Sequence, residues 1–352
     1  MNLDLNLIAL SFLAPHFSPR RINFQLRGLT PEEFFSGKAW RELPLDEDFY
    51  LKVKSLDWKE VEKTQKWCQE KGIKVLGRSS PSYPECLNRL EDPPPVIYLW
   101  GGEIFYEKNI AVVGTRKPTN YGKEVAFRIS ADLSRAGLGI VSGLARGLDS
   151  VAHQAALETG GRTIAVLGSG FKKIYPPENK KLAEKIILNG CLISEYPPET
   201  SPNQWHFPSR NRIIAALSRG VLVIEAGEGS GALITCDFAL DMGIEVYVVP
   251  GSVFSPSSRG CHQLIKDGAK LVESAQDILE DFGLTLFPEE KKEEKLTFEE
   301  RKILETLSSE PLPLEDILAQ VDLGTGTVLA SLSLLEVKGL IRSLPGNLFV
   351  RR

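Results

Sequence analysis

The sequence predicts an α/β fold built on a doubly wound parallel sheet. Three observations support it: short apolar segments rich in β-branched residues, helical patterns between them, and glycines that end those helical patterns. Continuous apolar runs are typical of strands buried on both faces, and such strands alternating with amphipathic helices form parallel sheets. Residues 66–287 are therefore predicted to form an extended Rossmann-like domain.

Six segments are the predicted strands: NIAVVG (109–114), LGIVSG (138–143), TIAVLG (163–168), CLISEY (191–196), GVLVIEAG (220–227) and EVYVVPG (245–251). Three of the intervening helices show one apolar face and then a glycine, which is the residue that most often ends a helix. These faces are Val125, Ala126, Ile129 and Leu133 before Gly137; Leu182, Ala183 and Ile186 before Gly190; and Ile213, Ile214 and Leu217 before Gly220.

The first 65 residues contain four short helical patterns that are separated by proline and glycine. They predict a small helical domain, similar in outline to sterile-alpha-motif or helix-hairpin-helix modules. Such a domain either binds nucleic acid or serves as a packing unit. The packing role is favoured, because no G-x-G hairpin stands between the helices.

The end of the chain predicts a winged-helix domain. A charged linker at 288–296 precedes residues 297–352, where three short helical patterns are followed by LIRSLPGNLFVRR, which is typical of strand, turn and strand. The last of these helices, within GTGTVLASLSLLEVKG, offers only Lys338 as a base. Because readers of the major groove usually present Arg, Lys, Asn or Gln, partner binding or self-association is as well supported as duplex recognition.

Composition restricts the class of protein. The 352 residues carry a net charge of −4, so the chain is not a uniformly basic polyanion binder, although local patches remain open. The five cysteines include no C-x-x-C pair and the four histidines show no metal spacing. We expect a reduced, cytoplasmic protein without a metal or cofactor, and the sequence shows neither a signal peptide nor a stretch long enough to span a membrane.

Basic residues follow five of the predicted strands. Ligands of open parallel sheets bind outside the carboxyl ends of the strands, so these residues are expected to converge at one edge of the sheet. Several of them are also predicted in the first turns of helices, namely Lys180, Lys181, Arg210, Arg212 and Arg259. A cation there opposes the helix dipole, by about 0.3–1 kcal/mol at an exposed site, unless an anion is bound.

Glycines and aromatic residues share these loops. Glycines allow backbone N–H groups to approach an anion, and aromatic rings stack on nucleic-acid bases. The aromatic residues are Phe171, Tyr175, Trp205, Phe207 and Phe254. A polyanion bound across several loops is the resulting prediction.

Signals for an enzyme are weak. VVGTRKPTNYG lacks the G-x-G-x-x-G fingerprint of dinucleotide enzymes, and the sequence contains no Walker A motif. His153 is expected to be structural. Glu195 and Glu225 end predicted strands at the site, so a nucleotide-processing hydrolase of the phosphoribohydrolase type stays open as an alternative.

The chain resembles the DNA processing protein A (DprA/Smf) family over roughly residues 70–283. The resemblance is carried, in order, by GIKVLGRSSPSYPECLNRLEDPPPVIYLWG, VVGTRKPTNYG, VSGLARGLDSVAHQAALETGGRTIAVLGSGFKKIYPPENKKL, HFPSRNRIIAALS, EAGEGSGALIT and VPGSVFSPSSRGCHQLIKDGA. The helical front and the winged helix also fit that architecture. LAPHFSPRR departs from it, since a glycine hairpin is usual there.

The resemblance implies a non-enzymatic protein that binds single-stranded DNA, forms a homodimer through its Rossmann-like domain and loads a RecA-type recombinase in natural transformation and recombination. It implies that Arg116, Lys180, Arg210 and Arg212 contact the strand. The full predicted set of nucleic-acid-binding residues is Gly114, Thr115, Arg116, Ser142, Gly143, Arg146, Gly147, Lys172, Lys173, Asn179, Lys180, Arg210, Asn211, Arg212, Ser230 and Gly231.

Overall fold

A computed structural model describes residues 4–36, 45–104, 108–285, 296–308, 311–344 and 346–351. The chain divides into two compact units, residues 1–287 and 288–352. The predicted linker at 288–296 lies outside the described residues except for Leu296. The predicted division between a sheet domain and a winged helix therefore coincides with the division into units.

The first unit is built on a nine-stranded sheet in the order β1-β2-β6-β5-β4-β3-β7-β8-β9. Strands β3 to β9 run parallel, and β1 and β2 add an antiparallel pair at the β6 edge. All six predicted strands are confirmed. The bounds are β1 Lys74–Gly77, β2 Val96–Gly101, β3 Asn109–Val113, β4 Gly139–Ser142, β5 Thr163–Leu167, β6 Cys191–Ser194, β7 Gly220–Val223, β8 Glu245–Val248 and β9 Lys270–Leu271.

The described part of this unit contains twelve α-helices. Their bounds are α1 Leu5–Ser11, α2 Pro19–Leu26, α3 Pro31–Phe35, α4 Glu47–Lys54, α5 Trp58–Lys71, α6 Asn120–Arg135, α7 Leu148–Glu158, α8 Lys180–Asn189, α9 His206–Ala216, α10 Gly231–Asp241, α11 Arg259–Lys266 and α12 Gln276–Asp281.

The sheet is doubly wound about β3. The chain moves outward from β3 through β4 and β5 to β6, then returns to place β7 on the other side of β3. Helices α6 and α7 share one core cluster with the sheet, and α9 and α10 share another. Both faces are therefore covered, and the direction of winding changes between β3 and β7, which is where ligands of such sheets bind.

The N-terminal helices share a core with the sheet. Ile8, Leu10 and Phe49 belong to the same buried cluster as Val75 and Tyr98 of the antiparallel edge. The Tyr98 hydroxyl also lies 2.6 Å from Ser11 Oγ in a buried hydrogen bond. The predicted boundary at residue 65 falls inside α5, so the front helices are part of the first unit and do not form a separate body.

The second unit confirms the predicted winged-helix outline. Its elements are α13 Phe298–Thr306, β10 Leu312–Pro313, α14 Leu314–Gln320, α15 Thr325–Val337, β11 Ile341–Leu344 and β12 Leu348–Arg351. The three strands form an antiparallel sheet in the order β10-β12-β11. Gly346 and Asn347 make the predicted turn with positive φ values of 91° and 55°, and Pro345 lies outside the described residues.

Among the described residues no single helix is long and apolar enough to cross a bilayer. In the same described ranges one pair, α14 and α15 taken together, reaches that length and composition, with a bend of 115° between them. Both contribute residues to the core of the winged helix, including Ile317 and Leu332.

Truncating Ile8 tests whether the front helices and the sheet form one folding unit. Ile8 is fully buried in the shared core, so Ile8→Ala is expected to lower the free energy of unfolding by about 2–5 kcal/mol. Hydrogen–deuterium exchange should show β2 and β6 losing protection together with α1. Leu51→Ala is the matched control, because Leu51 on α4 is 58% exposed and its truncation is expected to change stability by no more than about 0.5 kcal/mol. Loss of protection confined to α1–α5 would contradict the shared core.

Candidate nucleic-acid interface

A concave groove of about 690 Å³ opens at the change in winding direction, at the carboxyl ends of the central strands. We call it the switch-point groove. It brings together six of the predicted site residues, supplied by the loops after β3 and β7 and by α9: Gly114, Arg116, Arg210, Asn211, Ser230 and Gly231. A small adjoining cavity adds Gly143 and Arg146 from the loop after β4. The predicted convergence is therefore observed for these eight residues.

Arg116 is the exposed cation of the groove. Its guanidinium carbon lies 5.5 Å from the ring centroid of Phe207, and among the described residues it forms no ion pair. The Phe207 and Tyr175 rings are 5.6 Å apart and inclined at 44°. An uncompensated positive charge thus stands beside an aromatic wall, which is the pair of features that binds a phosphate and an adjoining base.

Arg210 is buried beneath the groove. Its Nη1 donates to the carbonyl oxygens of Gly143, at 2.6 Å, and of Val166. A Cβ atom on residue 143 would overlap this guanidinium, so any larger residue there would displace Arg210 from these carbonyl groups. Burial lowers the pKa of Arg210 to about 10, so the side chain stays charged at neutral pH. Its role is to join the ends of β4 and β5.

Asp149 completes this arrangement, and it is not among the predicted site residues. One of its carboxylate oxygens accepts from the backbone N–H groups of Gly143 and Ala145 at 3.1 and 3.3 Å. Burial raises the pKa of the Asp149 carboxyl, while the charge of Arg210 and these two donors oppose the rise. Its position two residues after Gly147, in the first turn of α7, is the only sequence signal that could have indicated it.

Two predicted contacts instead hold loops in place. Ser142 is fully buried, and its hydroxyl donates to the Val112 carbonyl at 2.6 Å. The Asn179 side-chain amide donates to the Leu144 carbonyl at 2.9 Å and to Ser150 Oγ at 2.8 Å. Leu144 has a φ of 55°, a conformation that L-residues rarely adopt, so the amide stabilises a strained turn beside the groove.

Arg212 is placed away from the groove surface. It is 1% exposed, and its Nη2 donates to both carboxylate oxygens of Glu195 at 2.8 and 2.7 Å. The prediction that Arg212 contacts a ligand does not fit this geometry, because the guanidinium is enclosed and already paired. The prediction that Arg210 and Arg212 open a helix is also wrong, since α9 begins at His206 and both residues follow its first turn.

The remaining predicted cations divide into paired and unpaired residues. Arg146 forms an exposed ion pair with Glu178, and Lys172 pairs with Glu199 at 2.6 Å. Lys173 and Lys180 are exposed and, within the described part of the chain, have no ion-pair partner. Helices α8 and α11 do begin at Lys180 and Arg259, so the predicted first-turn cations are confirmed for these two helices.

The backbone groups of the predicted set lie where the loops meet. Thr115 N–H donates to the Glu225 carbonyl at 2.8 Å, and Gly147 has a φ of 80° that favours glycine. Asn211 Nδ2 donates to the Gly231 carbonyl at 3.1 Å, and Ser230 caps the N-terminus of α10. These contacts tie the loop after β3 to the loop after β7, and α9 to the start of α10.

The aromatic residues were predicted as a group, and the structure separates them. Phe171 is 3% exposed and packs in the core, so it is not available for stacking. Trp205 and Phe254 are 73% and 93% exposed. Of the five, Phe207 and Tyr175 line the groove itself.

Glu195 and Glu225, the two carboxylates on which the alternative of a nucleotide hydrolase rests, are engaged in structural contacts. Glu225 accepts from the N–H and the hydroxyl of Thr119 at 2.9 and 2.6 Å, which fixes the start of α6, and Glu195 pairs with Arg212. His153 is fully buried with Nδ1 2.6 Å from Thr163 Oγ1, and burial lowers its pKa to about 3. The described residues hold no cluster of three or more metal-ligating side chains.

Comparison with known families finds two matches. Residues 74–283 match the family model described as DNA recombination-mediator protein A, and residues 287–347 match the DprA winged helix domain. The first match covers the sheet, the groove and the antiparallel edge.

Individual relatives agree with the family models. The chain is 47% identical to the DNA processing protein DprA of Bacillus subtilis strain 168 over 215 residues, which are 60% of this chain and 72% of that protein. It is 36% identical to Protein Smf of Synechocystis over 324 residues, 81% of each.

Two solved structures are similar. DNA processing protein A from Streptococcus pneumoniae is 35% identical with a TM-score of 0.62, over 74% of this chain and 97% of that one. DNA processing protein A from Helicobacter pylori, whose structure was reported for its single-stranded DNA binding mode, is 29% identical with a TM-score of 0.54, over 60% and 95% of the two chains.

Removing Arg212 tests its structural role. Arg212→Ala leaves the Glu195 carboxylate buried without its cation, so the free energy of unfolding is expected to fall by about 3–5 kcal/mol. Thermal and urea unfolding measure the loss. The double variant Arg212→Ala with Glu195→Ala should be less destabilised than the single variant, because the fully buried carboxylate of Glu195 is no longer left without a cation; Asp92, which lies 3.5 Å from Arg212 Nε, is partly exposed to solvent. A double variant that is the less stable of the two would contradict this assignment.

Proposed function

The chain belongs to the DNA recombination-mediator protein A family, and from this premise we propose that it binds single-stranded DNA along the switch-point groove and acts in the processing of DNA for recombination. The observation that carries the proposal is the uncompensated guanidinium of Arg116 beside the Phe207–Tyr175 wall. The single-stranded DNA binding described for the Helicobacter relative supports it.

The groove suits a strand better than a free nucleotide. A mononucleotide needs one phosphate cradle, whereas several loops supply cations at and around the groove. Arg116 after β3 and Arg146 after β4 line the groove or its adjoining cavity, and Lys173 and Lys180 follow β5 outside that lining. Phosphates spaced along a backbone can engage these in turn. Bases stacked on aromatic rings contribute roughly 1–3 kcal/mol each and do so without regard to sequence.

The predicted residues divide into two roles under this proposal. Arg116, Lys173 and Lys180 contact phosphates directly. Arg146 and Lys172 also bind phosphates, once their ion pairs with Glu178 and Glu199 are broken. Arg210, Ser142 and Asn179 position the loops, and the glycines at 114, 143, 147 and 231 leave the backbone accessible. Arg212 stabilises α9 from within.

Binding without catalysis is part of the proposal. Glu195 and Glu225, the carboxylates that a nucleotide hydrolase would use, have both oxygens in contact with Arg212 and Thr119. Release of free base from nucleoside monophosphates, abolished by Glu225→Gln in a protein that remains folded, would instead support the hydrolase.

Family resemblance also supports two finer roles, a homodimer through the first unit and the loading of a RecA-type recombinase. The edge strand β9 and helix α10 expose Leu271 and Leu240, which suits contact between two copies. Sedimentation velocity tests the dimer. Recombinase ATPase activity on single-stranded DNA, with and without this chain, tests loading.

Reversing the charge at Arg116 tests the strand site. Arg116→Glu is expected to weaken binding of a fluorescent oligonucleotide about tenfold or more and to make the slope of log affinity against log salt shallower by about 0.7 or more, because a phosphate contact is lost. Fluorescence anisotropy across a salt series measures both quantities. Arg128→Glu is the matched control, since Arg128 is an exposed arginine on α6 outside the groove. Binding by Arg116→Glu equal to that of the control would exclude Arg116 from the site.

Truncating Phe207 separates stacking from charge. Phe207→Ala is expected to weaken strand binding by the roughly 1–3 kcal/mol of one stacked base while leaving the salt slope unchanged. The same anisotropy series measures it, and Phe207→Trp should restore affinity. A shallower slope in Phe207→Ala would show that the ring acts by holding Arg116 rather than by stacking.

A further inference from the structure

A second cavity lies at the opposite edge of the sheet. It has a volume of about 510 Å³ and is lined by residues that precede β3, β4 and β7 or lie close to them in space. We call it the opposite-edge cavity. Because parallel strands begin at this edge and end at the switch-point groove, the two cavities are separated by the length of the strands.

The floor of the opposite-edge cavity is apolar. It is formed by Cys86, Leu138, Ala216, Phe282 and Leu284. Burial raises the pKa of the Cys86 thiol to about 11, so this side chain is neutral and adds to the apolar surface. The Ser218 hydroxyl, also in the lining, already donates to the Ile214 carbonyl at 3.0 Å.

Three cations surround this floor: Arg89, Lys108 and Arg219, all of them exposed. The described lining contains no carboxylate, and within the described part of the chain none of the three cations forms an ion pair. This is a local asymmetry in a chain with 46 acidic and 42 basic residues. The guanidinium of Arg219 lies 4.9 Å from the Phe282 ring centroid, so one cation is held against the apolar floor.

We propose that the opposite-edge cavity binds an acidic peptide segment of a partner protein, with an aromatic or large aliphatic side chain of that segment seated on the apolar floor. Carboxylates on either side of the anchor would pair with Arg89, Lys108 and Arg219. Charge complementarity and the apolar floor together select this ligand class.

A free nucleotide fits the opposite-edge cavity less well. Recognition of a base edge uses acceptors as well as donors. The described lining side chains offer donors on Arg89, Lys108 and Arg219 but no carboxylate or amide acceptor, and the Ser218 hydroxyl is engaged with the backbone. The anchor side chain of a peptide, by contrast, needs only apolar contact. The volume of about 510 Å³ accommodates one such anchor with its neighbouring residues.

The experiment uses the full chain and a fluorescein-labelled peptide in which a run of aspartates is followed by Leu and Phe. We expect saturable binding by anisotropy, at least tenfold weaker in Arg89→Glu and in Arg219→Glu, and unchanged in Arg128→Glu. Replacing the Leu and Phe of the peptide by Gly and Ser should abolish binding. Circular dichroism and thermal melts of each variant confirm folding.

Competition identifies the site that is occupied. Because the peptide is expected at the opposite edge of the sheet, an excess of single-stranded oligonucleotide should not displace it, and Arg116→Glu should bind it as wild type does. This readout is independent of whether the oligonucleotide itself binds. Displacement of the peptide by oligonucleotide or by ADP would overturn the proposal. So would equal binding by Arg89→Glu, Arg219→Glu and Arg128→Glu, or no binding at millimolar peptide.

Discussion

The buried guanidinium of Arg210 donates to the carbonyl groups of Gly143 and Val166, where β4 and β5 end. A charge in this position costs several kcal/mol of desolvation unless it is paired and hydrogen-bonded. The two carbonyl groups and the nearby Asp149 carboxylate supply that compensation, and Asp149 in turn holds the N–H groups of Gly143 and Ala145. The loop after β4 is thereby fixed against the helix that follows β6, and the floor of the switch-point groove is formed by this contact.

Burial sorts the arginines of the site into different tasks. Arg210 and Arg212 are enclosed and compensated inside the protein, by backbone carbonyls and by Glu195 respectively. Arg116 is exposed and has only the face of Phe207 beside it. An enclosed, paired charge contributes to rigidity, whereas an exposed charge without a partner is free to bind an anion. The two roles reinforce each other, because the exposed guanidinium is useful only if the loops around it stay in position.

The sequence was most informative where packing repeats. The six predicted strands are apolar at most positions because helices cover both faces of the sheet, and that pattern is visible without a structure. Strands β1 and β2 were not predicted, because they pair antiparallel at the edge of the sheet and do not alternate with helices. Strand β9 was not predicted because it has only two residues. The front helices were predicted as a separate domain because their patterns are short, but their core is completed by Val75 and Tyr98 of the sheet edge.

Within the site, sequence identified the loops but not the direction of each side chain. The glycines and Arg116 follow a strand directly, so their position at the sheet edge is determined by topology. Arg210 and Arg212 depend on where α9 begins. That helix starts at His206 without a side-chain cap, so no capping residue marks its start in the sequence, and both arginines were assigned to a first turn. Two residues apart on a helix, they point about 200° apart, which is why one meets Gly143 and the other Glu195.

The division between buried, paired arginines and exposed, unpaired cations determines how strongly strand binding depends on salt. Counterion release depends on phosphates that are neutralised by protein cations, and a guanidinium already paired inside the fold does not take part. Arg116, Lys173 and Lys180 are exposed without described partners, while Arg146 and Lys172 must first leave Glu178 and Glu199. The salt dependence of binding should therefore reflect three cations fully and two in part. A count of basic residues in the sequence would overestimate it, because that count includes the arginines whose charge maintains the groove.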